Sequence, residues 1–302
     1  MKKMRIFMFL VLSLLLTNCN KEEKKVEENN VEKTEVVATN NENKEEDINI
    51  KFSDETYKIL EVFTQNKEEI IKRLKGLTKE EANKLLDKYM EENQELLWKI
   101  DENENYFKDF QENDYEKKFK EVNKFFNKYG LIMQESPGST GVVAPSSFYY
   151  NIFKDYVSDE YREYLKLTSK YNDVDVVFMP SNLTIQETGE RIVAFGNFLD
   201  KYPNTKFKDI ASVYANYIKE YIRYSLPYKD GSPEDYYNVS EENKKEYEKF
   251  IDKYPDSITA HCLECLLENY KNKDWTSIDE TIDEIMKKEM EERYNITEIF
   301  GL

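Results

Sequence analysis

Phe198-Leu199-Asp200-Lys201-Tyr202-Pro203-Asn204-Thr205 returns 52 residues later as Phe250-Ile251-Asp252-Lys253-Tyr254-Pro255-Asp256-Ser257. Five of the eight positions are identical and the other three are close substitutions. Each copy reads as the end of one helix and the start of the next. Proline cannot continue a helix and biases the residue before it away from helical backbone, so Tyr202 and Tyr254 mark stops. Thr205 and Ser257 stand where a side-chain oxygen can cap the following helix. The match extends outward: Phe195 aligns with Tyr247, and Ile210, Val213 and Tyr214 align with Cys262, Cys265 and Leu266. This pattern predicts a mainly α chain with antiparallel helical hairpins in its C-terminal half.

The F-x-x-x-Y-P-x-[ST] junction resembles the one between tetratricopeptide-like helical hairpins of bacterial envelope proteins, over residues 184–292. The usual tetratricopeptide period is about 34 residues. The loop Pro227–Ser240, P-Y-K-D-G-S-P-E-D-Y-Y-N-V-S, can hold the excess in the spacing of 52. The resemblance implies a scaffold or protein-interaction role, because stacked hairpins present grooves rather than reactive groups.

Upstream the helical signals continue. Ser53 can cap a helix carrying Tyr57, Leu60 and Phe63 on one face. Thr78 and Glu81 form a capping-box pattern, as do Thr184 and Glu187. After Thr78 a long helix places Leu86, Met90, Asn93, Leu97, Ile100, Glu104 and Phe107 at spacings of four and three. That is either a coiled-coil seam or one face of a helical hairpin packed on Phe119, Val122, Phe125 and Phe126. The interrupting Asn93 and Glu104 favour the hairpin. Ser158 starts another helix, with Tyr161, Tyr164 and Leu165.

Residues 130–150 break the helical pattern. Gly130 reads as a helix stop. Leu131–Glu135 and Val142–Ala144 are short extended runs around Ser136-Pro137-Gly138-Ser139-Thr140-Gly141, so a short β-hairpin or exposed loop is expected near 131–145. Ser139 and Thr140 could offer backbone N–H groups to an anion, but the spacing and lysine of a phosphate loop are missing. The aromatic pair Tyr149-Tyr150 could stack on a sugar or a partner, or anchor the loop to the core. An envelope enzyme or small-ligand binder working at 131–150 is therefore the alternative function.

The first nineteen residues carry a second resemblance. Lys2, Lys3 and Arg5 precede an apolar run from Ile6 to Leu16, followed by Leu16-Thr17-Asn18-Cys19. The run is too short for a transmembrane span, which needs about 20 residues. It resembles the signal peptide and lipobox of bacterial lipoproteins, although Asn18 stands where that family usually has Gly, Ala or Ser. The resemblance implies cleavage before Cys19, acylation of Cys19, and a place outside the cytoplasm on a bacterial membrane. Asn20 rather than Asp after the cysteine leans toward the outer membrane where the cell has one. Residues 20–48 contain no aromatic, Gly or Pro and cannot bury enough area to offset ordering entropy, so they read as a disordered tether.

The chain has 302 residues and a formal charge of −17. An acidic surface argues against nucleic acid as a partner and against docking on anionic lipid beyond an acyl tether. The 23 Tyr and 17 Phe supply ample core material, and 8 Gly with 7 Pro fit long helices with few tight turns.

Chemistry is sparse. No nucleophile elbow, zinc-protease, Ser-x-x-Lys or dinucleotide fingerprint is found, and no cofactor is expected. His261, Cys262 and Cys265 are the one cluster to weigh. Cys262 and Cys265 could be a redox pair or, with a carboxylate such as Glu264 or Glu268, part of a metal site. The repeat aligns them with Ile210 and Val213, which favours packing as small hydrophobes. The expected organisation is a signal peptide over 1–18, a lipidated cysteine and tether over 19–48, an N-terminal helical region with a hairpin or loop over 49–155, and a tetratricopeptide-like region over 156–302. The expected function is a membrane-anchored interaction or scaffold lipoprotein, with membrane contact through the N-terminal lipid and an envelope protein as partner.

Overall fold

The computed structural model of the chain describes residues 51–104, 106, 115–136, 139–171, 183–223, 239–272 and 278–299. The expected leader over 1–18, Cys19, the expected tether, Phe107 and most of the 227–240 loop lie outside these residues. Among the described residues the fold is mainly α, with ten helices and one two-stranded antiparallel sheet.

Helices α1 (Asp54–Leu74) and α2 (Lys79–Asn103) form the first antiparallel pair. The Ser53 side chain accepts from Thr56 N–H, and Thr78 with Glu81 closes a complete capping box. Between them Gly76 turns at φ +94°, a conformation natural to glycine. The start of α1 meets the end of α2 directly: Glu104 Oε1 accepts from Ser53 N–H at 2.8 Å and from the Thr56 hydroxyl at 2.5 Å. The buried stripe of α1 is Thr56, Ile59, Leu60, Phe63, Ile70 and Leu74, so Tyr57 stands off the expected face and is exposed. Its ring instead edges onto Phe125. In α2, Leu86, Asn93, Leu97 and Ile100 are buried within this chain, and the helix packs mainly on α1 and the β-hairpin over 132–143 rather than on the aromatics Phe119, Phe125 and Phe126.

Helix α3 (Tyr115–Asn127) contributes Val122 and Phe126 to the core and ends ahead of Gly130 at φ +78°. Strands β1 (Ile132–Ser136) and β2 (Ser139–Val143) pair antiparallel, with Ile132 opposite Val143 and Ser136 opposite Ser139. Helix α4 (Ser146–Phe153) leads into α5 (Asp159–Tyr171).

From α5 onward the chain is a succession of helices: α6 (Ile185–Lys201), α7 (Asp209–Arg223), α8 (Glu241–Lys253), α9 (Ile258–Asn272) and α10 (Ile278–Tyr294). The sequence repeat is repeated in geometry. Phe195 and Tyr247 are both fully buried. Tyr202 and Tyr254 each end their helix with a cap N–H to Phe198 O or Phe250 O. The Phe198–Tyr202 rings lie 5.1 Å apart at 51°, and the Phe250–Tyr254 rings 5.0 Å apart at 51°. The helix before each copy covers its aromatics: Tyr164 and Tyr171 of α5 on Phe198 and Phe195, Tyr221 of α7 on Phe250 and Tyr247. A third, looser copy closes α10, with Met290, Arg293, Tyr294 and Thr297 at the spacing of Phe198, Lys201, Tyr202 and Thr205. There Asn295 takes φ +53°, and Ile296 N–H reaches back to Met290 O, a stop that proline could not make.

The two copies differ in one respect. Ser257 caps α9 directly, its oxygen accepting from Ala260 N–H at 3.1 Å. After Thr205 the chain runs on to Asp209 before α7 begins. Phe207 is the reason: it stacks on Tyr164 at 3.8 Å and 6° and meets Tyr161 edge-on. The buried residues of both halves belong to one cluster, and α10 returns to α6 through Tyr294 OH donating to Asp200 at 2.7 Å.

Candidate functional site

The 131–150 segment is held by α2. Asp101 Oδ1 accepts from Val142 N–H at 3.0 Å and from the Tyr106 hydroxyl at 2.8 Å. Burial raises this carboxyl from 3.8 to about 6, against the pull of those two donors. Gly141 is required beside it: a Cβ there would stand 2.6 Å from Asp101 Oδ2. Met133 N–H donates to Asn123 Oδ1 at 2.9 Å, tying β1 to α3.

The residues expected to form a ligand loop are dispersed. Ser139 opens β2 and Thr140 stands opposite Glu135, so both lie in the two-stranded sheet rather than in a free loop, and two residues on from Thr140 the Val142 N–H is taken by Asp101. Tyr149 is only 4% exposed, edge-on to Tyr89 and Phe148, with its hydroxyl 3.4 Å from Asn93 Nδ2. It anchors α4 to the core and shows no free face for stacking. Tyr150 is half-buried, with the Lys154 ammonium 5.7 Å from its ring centre.

The thiols are also separated by burial. Cys262 is fully buried, and burial pushes its thiol far up; Cys265 is half-buried and raised by the same cause. A buried, protonated thiol is a poor nucleophile and a poor metal ligand. Both are free, and among the described residues no three His, Cys, Asp or Glu side chains converge as a metal site. His261 turns instead to α10, where its Nδ1 lies 2.5 Å from Glu289 Oε1. Arg293 joins Glu289 Oε2 at 2.5 Å and donates to Asp256 O at 2.6 Å, fixing the α9–α10 pair.

Polar contacts concentrate where the first junction meets α5. Thr205 OH donates to Glu160 at 2.6 Å, Lys201 to Glu163 at 2.6 Å, and Tyr164 OH to Asp209 at 2.9 Å. Lys206 reaches Asp87 of α2 at 2.5 Å, and Tyr161 OH donates to the other oxygen of Asp87 at 2.8 Å. This set joins helices and assembles no nucleophile with a base.

One exposed feature lies outside every chemical motif of the sequence. Trp98 is 58% exposed on the side of α2 opposite Leu97 and Ile100. Glu91, Glu95, Trp98 and Glu102 follow at spacings of four, three and four, so they share one solvent face. A helical wheel of 79–103 would have revealed this. No family model, curated protein or solved structure matches the chain.

Proposed function

We propose that this chain is a lipid-anchored, extracytoplasmic protein of a bacterial envelope whose helical pairs serve as a protein-interaction module. The observation that carries the module is the Tyr-Pro junction, repeated in sequence and in ring geometry, with the aromatics of each copy covered by the preceding helix. Stacked helical pairs present extended surfaces to partners. The anchor rests on Lys2, Lys3, Arg5, the short apolar run and Cys19. No described helix is long and apolar enough to cross a membrane. The absence of Asp at position 20 favours the outer membrane in a cell that has two.

Two measurements test the proposal. Cells expressing the full chain should incorporate labelled palmitate into it, and Cys19→Ala should abolish the label; label retained in that variant refutes the anchor. Crosslinking in native cells followed by purification should recover the same envelope protein repeatedly. A folded, lipidated chain that recovers none overturns the module.

A further inference from the structure

We infer that the outer face of α2, centred on Trp98 and edged by Glu91, Glu95 and Glu102, docks a basic, arginine-bearing segment of a partner protein. This deepens the interaction-module reading and rests on it. Among the described residues Trp98 has the greatest exposure of the large hydrophobic side chains that stand out from the surface. Tryptophan is disfavoured on open surface and enriched at the centres of interfaces. Its neighbours on the face are carboxylates one helical turn to either side, Glu95 before and Glu102 after, with Glu91 one turn further back. Among the described residues none of these three is ion-paired, whereas Glu92, on the flank, is paired with Lys88 at 3.3 Å. Lys99, four residues after Glu95 and three before Glu102, is the neighbouring cation on this helix, and no ion pair within 4 Å joins it to either carboxylate among the described residues.

An aromatic face ringed by unpaired carboxylates selects a cation that is planar and weakly hydrated. Guanidinium meets both demands, stacking on the indole while its N–H groups bridge to carboxylate oxygens. The same charge pattern excludes the other occupants. A second copy of a chain carrying −17 would bring like charge to the face. Nucleic acid and anionic lipid are repelled for the same reason. Four-and-three spacing over three turns suits a partner segment that presents arginines at comparable intervals.

The test uses the full chain and a fluorescein-labelled peptide with four arginines at four-three-four spacing in an alanine and glutamine background, followed by anisotropy. Saturable binding is expected, weakened about tenfold or more by Trp98→Ala, less by Trp98→Phe, and about three- to tenfold by Glu95→Gln with Glu102→Gln. Glu280→Gln with Glu284→Gln, on the exposed side of α10, should leave binding unchanged. Because all these side chains are exposed, circular dichroism should show each variant folded. The inference is overturned by absent binding, by Trp98→Ala binding as the parent does, by the α10 variant weakening equally, or by free arginine displacing the peptide at equal concentration. A crosslinked envelope partner recovered equally well from Trp98→Ala cells also refutes this face while leaving the module intact. Recovery of no partner refutes the module itself.

Discussion

Asp101 shows how one side chain can hold a structure and burden it together. It secures β2 through Val142 N–H, yet burial raises its pKa from 3.8 to about 6. A carboxyl raised on folding stabilises the fold below its unfolded pKa, and that contribution is lost as pH rises through about 6. Asp101→Asn keeps an acceptor for Val142 and Tyr106 without the charge. It should match the parent in urea unfolding at pH 4 and exceed it at pH 7.5 by on the order of 1–2 kcal/mol. A loss at pH 7.5 would show that the ionised form is the better anchor. Gly141→Ala pushes a methyl into the same carboxylate and should cost about 1–3 kcal/mol by the same assay. The two thiols should separate by rate. With the native fold intact, maleimide labelling read by mass spectrometry should modify Cys265 first and Cys262 only on unfolding. Equal rates would contradict the burial of Cys262.

At the scale of elements, Ser257 and Thr205 share a position in the repeat but not a task. Ser257→Ala should remove the cap of α9 and lower stability by about 1 kcal/mol, with faster hydrogen exchange confined to the first turn. Thr205→Ala should leave the first turn of α7 protected and instead loosen α5, by removing the bond to Glu160. Exchange at α7 responding as α9 does would refute this division. The difference explains what the sequence could and could not reveal. Helix caps such as Ser53, Thr78 with Glu81 and Thr184 with Glu187 act within three residues, so a linear reading finds them. So does the Tyr-Pro stop, because proline acts on its immediate neighbour. The delay before α7 depends on Phe207 meeting Tyr164, 43 positions earlier in the sequence, and cannot be read locally. A hairpin or exposed loop near 131–145 was legible from its turn residues, although the second strand starts at Ser139 rather than Val142, and its fixation by Asp101 spans 41 residues and was not legible. Tyr149 was ambiguous for the same reason, since only tertiary packing against Tyr89 decides which member of an aromatic pair turns inward.

For the molecule as a whole, a charge of −17 on 302 residues should make self-repulsion outweigh the scattered ion pairs, most of which are exposed. Thermal unfolding should therefore shift upward by a few degrees between low salt and about 0.5 M sodium chloride. A downward shift would mean that the ion pairs dominate. The return of α10 to α6 bears on another property. A linear stack of helix pairs can peel from its end one unit at a time. Here the Tyr294 hydroxyl grips Asp200 across 94 residues, and Lys219 of α7 pairs with Asp283 at 2.9 Å. A load pulling on α10 thus reaches the first pair of the stack before the middle pair has opened. The C-terminal half should break like a buckled strap, in one abrupt event, rather than pay out length like a zip.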